Sequence, residues 1–191
     1  MRRALTPRPS SASPWLVVLA SSLGALTRGT TLTPPADAPP ACAAAEYRQF
    51  DFFVGDWDTF DVGRPDSVVA RNHVTPMLGG CAVRERYAQR DGLVGESFSA
   101  YDAGRRVWHQ SWVTNRGALL LLDGRLEGGR MVLSATDRAA DGTASLVRAA
   151  WWREGTTVRE RAERSRDGGK SWVPLFDIVF RPHRGAAGGA A

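Results

Sequence analysis

The sequence has little of the chemistry that marks metalloenzymes and thiol enzymes. Its 191 residues include two cysteines, three histidines and a single lysine, Lys170. The cysteines form no Cys-x-x-Cys pair, and His73, His109 and His183 lie far apart along the chain. Metal sites in proteins need clustered ligands, so the sequence predicts no zinc site and assigns each histidine a structural role. We expect no cofactor.

The chain also lacks a cluster of basic residues, although its net charge is +5. Four of the 25 basic residues and one of the 20 acidic residues precede residue 46, which leaves 21 basic and 19 acidic residues and a net charge of +2. These basic residues are spread along the chain and form no stripe that could follow a phosphate backbone. We therefore expect no nucleic-acid partner.

No apolar run is long enough to cross a bilayer stably. The apolar run at 15–26 has twelve residues, follows Arg2, Arg3 and Arg8, and precedes a Thr/Pro/Ala-rich stretch. This order is typical of a secretory signal. We predict a signal peptide and disordered linker at 1–45, a secreted or periplasmic protein, and no membrane span in the mature form. The alternative is an uncleaved, disordered N-terminal tail. The Gly/Ala-rich end at 185–191 predicts a disordered tail.

Cys42 and Cys81 are the two cysteines of the chain. In an oxidising compartment such a pair favours one disulfide, which would tie the linker to an early strand. Two free thiols are the alternative, because pairing cannot be derived from sequence alone.

Short β-segments separated by turn signals fill the region 46–184. Pairs such as Asp91-Gly92 and Asp141-Gly142 stand between runs of strand-forming residues, and this is a strong hairpin signal. The pattern predicts a helical turn at 46–53. It predicts strands at 57–62, 67–77, 81–89, 93–101, 106–114, 118–126, 131–136, 145–153, 156–164 and 172–181.

So many antiparallel strands must protect their edges, and closure into a barrel removes the edges completely. The predicted fold class is therefore all-β: a single closed antiparallel up-and-down β-barrel of about eight to ten strands, over residues 46–184. A β-sandwich is the alternative. Barrels of this size enclose side chains or one small ligand.

A Gly-x-Trp motif, Gly55-Asp56-Trp57, stands at the start of the first predicted strand. It ends the longer run FDFFVGDW at 50–57. The sequence resembles a family of exported bacterial calycin-like proteins of unknown function that opens with FDFxxGxW. The resemblance continues through 80–85, 95–97, 101–102, 108–113, 148, 151 and 165–172. It implies a lipocalin-like barrel in which Trp57 closes one end and Arg181, at the end of the last strand, packs across its ring. Glu160 stands where that family more often has Gln.

The stretch 165–172 fits the Asp-box pattern S-x-D-x-G-x-[ST]-W. We expect Asp167 to accept hydrogen bonds from backbone amides across a tight turn, with Trp172 packed beneath. Sialidase propellers carry several such repeats, and this chain has one. The motif is therefore interpreted as a stabilised hairpin.

Strand alternation predicts which side chains face the interior. If Glu85, Gln110 and Arg148 all point inward, they form a polar cluster in an aromatic surround, which is typical of a small-molecule pocket. The predicted ligand-binding residues are Glu85, Tyr87, Trp108, Gln110, Trp112, Arg148 and Trp152. The alternatives are a buried Glu85–Arg148 ion pair in a filled barrel, and Glu85 on a solvated face.

The sequence supports no catalytic assignment. His109 lies beside Ser111 on one strand face, with no third partner evident. Glu85 with Glu96 or Glu163 could form a carboxylate pair, but nothing in the sequence sets their separation. The leading hypothesis is a binding protein for a small, largely apolar molecule. The alternatives are an enzyme that uses the same cavity, of isomerase or hydrolase type, and a structural or protein-interaction domain of the cell envelope.

Overall fold

The computed structural model describes residues 41–185, which form ten β-strands and three short 3-10 helices. The predicted signal peptide lies outside the described residues, as do most of the predicted linker and all but Gly185 of the predicted tail. The strands are β1 (Gly55–Asp61), β2 (Arg64–Met77), β3 (Ala82–Gln89), β4 (Val94–Asp102), β5 (Val107–Thr114), β6 (Leu119–Glu127), β7 (Arg130–Arg138), β8 (Ala144–Glu154), β9 (Thr157–Ser165) and β10 (Val173–Pro182).

The strands form one closed barrel in which each strand pairs with its neighbours in the sequence and β10 returns to β1. All pairs are antiparallel, and the closing pair places Trp57 opposite Pro182 and Thr59 opposite Phe180. The prediction of a closed up-and-down barrel is therefore confirmed. Closure satisfies the backbone groups that edge strands would leave unpaired.

Aromatic side chains close one end of the barrel. The chain enters through two 3-10 helices, Ala45–Arg48 and Asp51–Phe53, where the sequence predicts a helical turn at 46–53. Phe50 and Phe53 are fully buried. The Phe50 ring lies 5.7 Å from Trp108 and 5.6 Å from Trp151, both edge to face, and Phe53 lies 5.2 Å from Phe180. Aromatic pairs of this geometry stabilise the fold beyond the contribution of their buried surface area.

A disulfide joins Cys42 to Cys81, with 5.1 Å between the Cα atoms, and confirms the predicted pair. Cys42 precedes the first 3-10 helix, and Cys81 follows the third, Leu78–Gly80, just before β3. The bond therefore fastens the entering segment to the closed end of the barrel.

Trp57 is buried at the closed end, where its indole N–H donates to the Phe53 carbonyl oxygen at 3.0 Å. Arg181 does not cover it, and that part of the prediction is wrong. Arg181 stands opposite Asp58 in the β1–β10 ladder, so it shares the outer face with Phe60, whereas Trp57 points inward. The guanidinium carbon of Arg181 lies 4.2 Å from the Phe60 ring centre.

The Asp-box stretch forms the turn between β9 and β10, as predicted. Asp167 accepts hydrogen bonds from the backbone N–H of Ser171 at 2.9 Å and from the Ser165 hydroxyl at 2.7 Å. The Trp172 indole N–H donates to the Gly169 carbonyl oxygen at 3.1 Å. The Ser171 hydroxyl also donates to Asp167 Oδ2, and this bond is the chief cause of the lowered pKa of Asp167. The motif stabilises a hairpin at the end of the barrel opposite the aromatic cluster.

Within the part of the chain that the structure describes, no helix has both the length and the apolar character needed to cross a bilayer.

Candidate functional site

The barrel encloses a cavity of about 390 Å³, near the lower end of the range usual for small-molecule sites. It extends from the aromatic cluster toward the opposite end, where Leu175 and Phe176 are partly exposed to solvent. Most lining side chains are apolar or aromatic: Val69, Leu93, Trp112, Leu120, Leu122, Val147, Ala149, Trp151, Ala162, Leu175, Phe176 and Ile178.

Glu85 is the centre of a buried polar network on the cavity wall. Asn72 Nδ2 donates to Glu85 Oε1 at 2.9 Å, and Ser97 Oγ donates to Glu85 Oε2 at 2.9 Å. Gln110 Nε2 in turn donates to Ser97 Oγ at 3.2 Å. These four residues come from β2, β3, β4 and β5, which are neighbours in the barrel. The alternation of the strands turns all four side chains inward.

Glu160, on β9, brings a second carboxyl group to the cavity from a wall four strands away. Its side chain is nine-tenths buried. No side chain among residues 41–185 donates to it a hydrogen bond of normal distance and angle. The indole N–H of Trp151, its register partner on β8, is buried and has no hydrogen-bond partner within residues 41–185. The Glu160 carboxyl group therefore has free hydrogen-bonding capacity that faces the cavity.

Both buried carboxyl groups have a raised pKa. Burial raises the pKa of Glu85, and the donors Ser97 and Asn72 oppose the rise. Burial also raises the pKa of Glu160 well above its ordinary value, and the negative charge of Glu85 raises it further. The Trp151 indole opposes this shift as the smallest of the three effects, in keeping with a contact too poor to count as a hydrogen bond.

The charged groups at the mouth of the cavity form ion pairs. Arg164 Nη2 lies 2.8 Å from Asp137 Oδ2, and Arg64 Nη2 lies 4.0 Å from Asp61 Oδ2. Arg164 Nε is buried without a hydrogen-bond partner within residues 41–185. The mouth is therefore close to electrically neutral, and the two glutamates are the ionisable acids deep in the cavity.

Four of the predicted ligand-binding residues line the cavity: Glu85, Tyr87, Gln110 and Trp112. Trp108 points inward but lies below the cavity in the aromatic cluster, where its indole N–H donates to Gln49 Oε1 at 3.1 Å. The alternation predicted for β3 and β5 is therefore correct.

The faces predicted for β8 are inverted. Val147, Ala149 and Trp151 point inward, so Arg148 and Trp152 lie outside the cavity. Arg148 pairs with Glu163 at 2.8 Å and stacks over Trp172, and Trp152 packs under Arg130 and Arg159. Stacked arginines cover the apolar side chains on the outer face of β8, so both faces of this strand can be apolar. The sequence alternation therefore does not show which face points inward. The Glu85–Arg148 ion pair considered from the sequence does not form.

The carboxylate pairs considered from the sequence are also absent from the cavity. Glu96 and Glu163 lie on the outer face, where they pair with Arg84 and Arg148. The structure instead brings Glu160 to the cavity with Glu85. Residues 41–185 contain no group of three or more His, Cys, Asp or Glu side chains able to hold a metal ion.

His109 and Ser111 do have a third partner. Asp123 Oδ1 lies 2.8 Å from His109 Nδ1, and His109 Nε2 lies 3.0 Å from Ser111 Oγ. This Ser–His–Asp row lies on the outer barrel surface, on β5 and β6. Each of these strands is paired on both sides, so backbone amides are not free to stabilise an oxyanion. Asp123 is also bound by Arg105 at 2.8 Å. The row is not assigned a catalytic role.

Sequence reasoning missed several polar residues of the interior. They are Asn72, Ser97, Trp151 and Glu160. Two of them, Asn72 and Ser97, lie in register with residues that were predicted to face inward, whereas Trp151 and Glu160 lie in register with each other. Asn72 pairs with Tyr87, Ser97 with Glu85 and Trp112, and Trp151 with Glu160. Register is set by tertiary pairing, so this signal needs the strand alignment.

No family model matches the chain, and no curated protein sequence matches it at a significant level. The resemblance to the calycin-like family therefore stays a prediction. The fold and the site define a class, namely a closed antiparallel barrel with an internal cavity, and the geometry of that cavity carries the functional argument.

Replacing Glu160 by Gln should increase stability in a pH-dependent way. The raised pKa means that folded protein keeps a proton that the unfolded chain releases above about pH 4.5. The free energy of unfolding therefore falls as pH rises from there toward the raised pKa. We expect Glu160→Gln to raise it by about 1 kcal/mol or more near pH 8 and by much less near pH 4.

Urea unfolding of both proteins at the two pH values measures this difference. Glu163→Gln is the matched control. The outer Glu163 has a lowered pKa, chiefly because Arg148 donates to it, so its loss should lower stability near pH 8. A Glu160→Gln protein that is less stable than wild type near pH 8 would show that the buried carboxyl group is satisfied in its ionised form.

Replacing Gly95 by Ala should narrow the cavity and weaken the binding of an apolar molecule. The Trp112 ring packs directly against Gly95, and a Cβ atom there would overlap the ring. We expect the ring to shift into the cavity and to weaken binding of an apolar probe such as decanol about tenfold. Calorimetric titration and the tryptophan emission spectrum would detect the shift. Gly104→Ala, in the loop before β5, is the control, and equal binding by both variants would contradict the expected shift.

Proposed function

We propose that this protein binds one small, largely apolar molecule inside the barrel. The observation that carries the proposal is the cavity of about 390 Å³, walled by apolar and aromatic side chains around a few polar groups. Small-molecule sites share this composition, since apolar walls supply affinity and sparse polar groups fix orientation. The open volume argues against the interpretation of a filled, purely structural barrel.

The test is native mass spectrometry of the full oxidised chain after exposure to an organic extract of the source cells. We expect a reproducible added mass of small-molecule size. Ala149→Phe should remove it, because Ala149 lines the cavity and a phenyl ring there would occupy the ligand volume. Ala150→Phe is the matched control, since Ala150 is the next residue along β8 and faces outward. A bare protein mass, under conditions in which a reference protein keeps a known weak ligand, would refute the proposal.

A second candidate function is acid–base catalysis on a bound molecule. The observation that favours it is the pair of carboxyl groups with raised pKa facing open volume, since groups of this kind serve as general acids near neutral pH. If the captured molecule changes in mass or in chromatographic retention during incubation with wild type and not with Glu160→Gln, the protein is an enzyme. Unchanged mass and retention with both proteins leave a binding protein.

We also propose that the protein acts outside the cytoplasm, with residues 1–45 as the export signal and linker. The Cys42–Cys81 disulfide supports this location, because such bonds persist in oxidising compartments. Fractionation of the source cells followed by thiol alkylation would test it. A reduced, full-length protein in the cytoplasmic fraction would contradict it.

A further inference from the structure

We propose that the cavity selects molecules whose polar group is a protonated amine, held between Glu85 and Glu160 and attached to a largely apolar body. The inference rests on the proposed binding function and adds the chemistry of the polar group.

The distribution of charge along the cavity is the first argument. Five charged residues line the cavity. Asp61, Arg64 and Arg164 lie at the mouth, and Glu85 and Glu160 lie deeper inside. Each mouth arginine has an acidic partner, and no base lies beside the two glutamates in the described lining. A ligand carboxylate placed there would be buried without a cationic partner, and that desolvation cost disfavours it.

The unused hydrogen-bonding capacity of Glu160 is the second argument. Glu85 already accepts hydrogen bonds from Asn72 and Ser97, whereas Glu160, nine-tenths buried, has no good donor among the described side chains. A primary ammonium group carries three N–H donors and no acceptor. It can therefore donate to the free oxygens of Glu160, while the charge of Glu85, which acts on the same site, adds attraction. Such charge-assisted bonds are about twice as strong as neutral ones.

The aromatic walls are the third argument. Tyr87, Trp112 and Trp151 line the same cavity as the two glutamates, and the Tyr87 and Trp112 rings lie 6.1 Å apart at a steep angle. Aromatic faces attract cations through the negative charge of their π electrons, and desolvation strengthens this attraction. Carboxyl groups combined with aromatic rings fit an ammonium group better than they fit a neutral or anionic group.

Binding of an amine should release a proton. Burial raises the pKa of each carboxyl group in the free protein and so favours its protonated form. The entering ammonium group favours the carboxylate form, so a carboxyl O–H bond breaks and its proton passes to the buffer. Affinity for the amine should therefore rise with pH through the pKa of the pair. The other titratable lining groups are Tyr87, whose pKa is raised by burial, and the ion-paired Asp61, Arg64 and Arg164.

The experiment compares decylamine, decanol and decanoate, which share one apolar body, by calorimetric titration of the full oxidised chain. We expect decylamine to bind about tenfold more tightly than either partner near pH 8 and its advantage to shrink near pH 5. Titration in two buffers of different ionisation enthalpy should show proton release for decylamine alone. The net charge of the chain is +5, so non-specific attraction favours decanoate and cannot produce this order.

Glu160→Gln should remove most of the preference for decylamine, measured as the ratio of its affinity to the affinity of decanol for the same variant. Glu163→Gln, on the outer face, should leave the preference unchanged. If decanol or decanoate binds as tightly as decylamine, or if Glu160→Gln keeps the preference, the amine assignment is wrong and cavity binding stands. If none of the three probes binds and the extract yields no adduct, the proposed function itself fails.

Discussion

Phe50→Ala should lower the free energy of unfolding by about 3–5 kcal/mol, the cost usual for a large aromatic removed from a packed core. Phe50 is fully buried and its ring contacts the rings of Phe53, Trp108 and Trp151. Its loss would leave a void between the two 3-10 helices and the barrel. Because this cluster closes one end of the cavity, the variant should also let water enter the cavity through that end. Binding of an apolar probe such as decanol should then weaken.

Urea unfolding monitored by tryptophan fluorescence measures the loss directly, since Trp108 and Trp151 report on the cluster. Phe98→Ala is the control, because Phe98 lies on the outer face with 44% of its surface exposed. Its removal should change stability by about 0.5 kcal/mol or less. Equal losses in the two variants would mean that the entering segment adds little to the stability of the barrel.

Loss of the disulfide has the second large expected effect. Cys42 and Cys81 are separated by 39 residues, and closing a loop of that length restricts the unfolded chain enough to stabilise the fold by about 3–4 kcal/mol. The Cys42→Ser/Cys81→Ser protein should therefore unfold at lower temperature and lower urea concentration than the oxidised wild type. Its 3-10 helices should also become more open to proteolysis and hydrogen exchange, because they lose the attachment near β3.

Reduction of the wild type with a phosphine reductant should reproduce the change, and the same reagent should leave the double variant unaffected. This pair of measurements separates the disulfide from any effect of the serine side chains. If the oxidised and reduced wild types unfold together, packing of Phe50 and Phe53 alone fixes the entering segment.

The strand pattern could be predicted from sequence because its signals are local. Pairs such as Asp91-Gly92 and Asp141-Gly142 break the chain at tight turns, and both glycines adopt positive φ. Ten predicted segments correspond to ten observed strands. Closure also followed from physical reasoning, since a meander of ten strands has two edges that can satisfy each other.

The candidate site was predictable in part. On β3 one face is clearly more apolar than the other, and on β5 one face carries both tryptophans. Glu85, Tyr87, Gln110 and Trp112 were therefore correctly predicted to face inward. On β8 both faces carry apolar residues, and the prediction that Arg148 faces inward was wrong. On such a strand, the contacts of a polar side chain decide which face it occupies. For Arg148 these contacts are Glu163 and Trp172, which are distant in sequence.

The sequence by itself determined the all-β class, the ten strands, the hairpin at 165–172 and the two cysteines able to pair. These depend on turn residues, alternation and cysteine number, which act over a few positions. Only the tertiary structure decided that Glu160 faces the cavity with Glu85, that Trp108 closes its floor, and that Arg181 covers Phe60. Each depends on strand register and barrel closure, which place residues together across the interior that no local pattern connects.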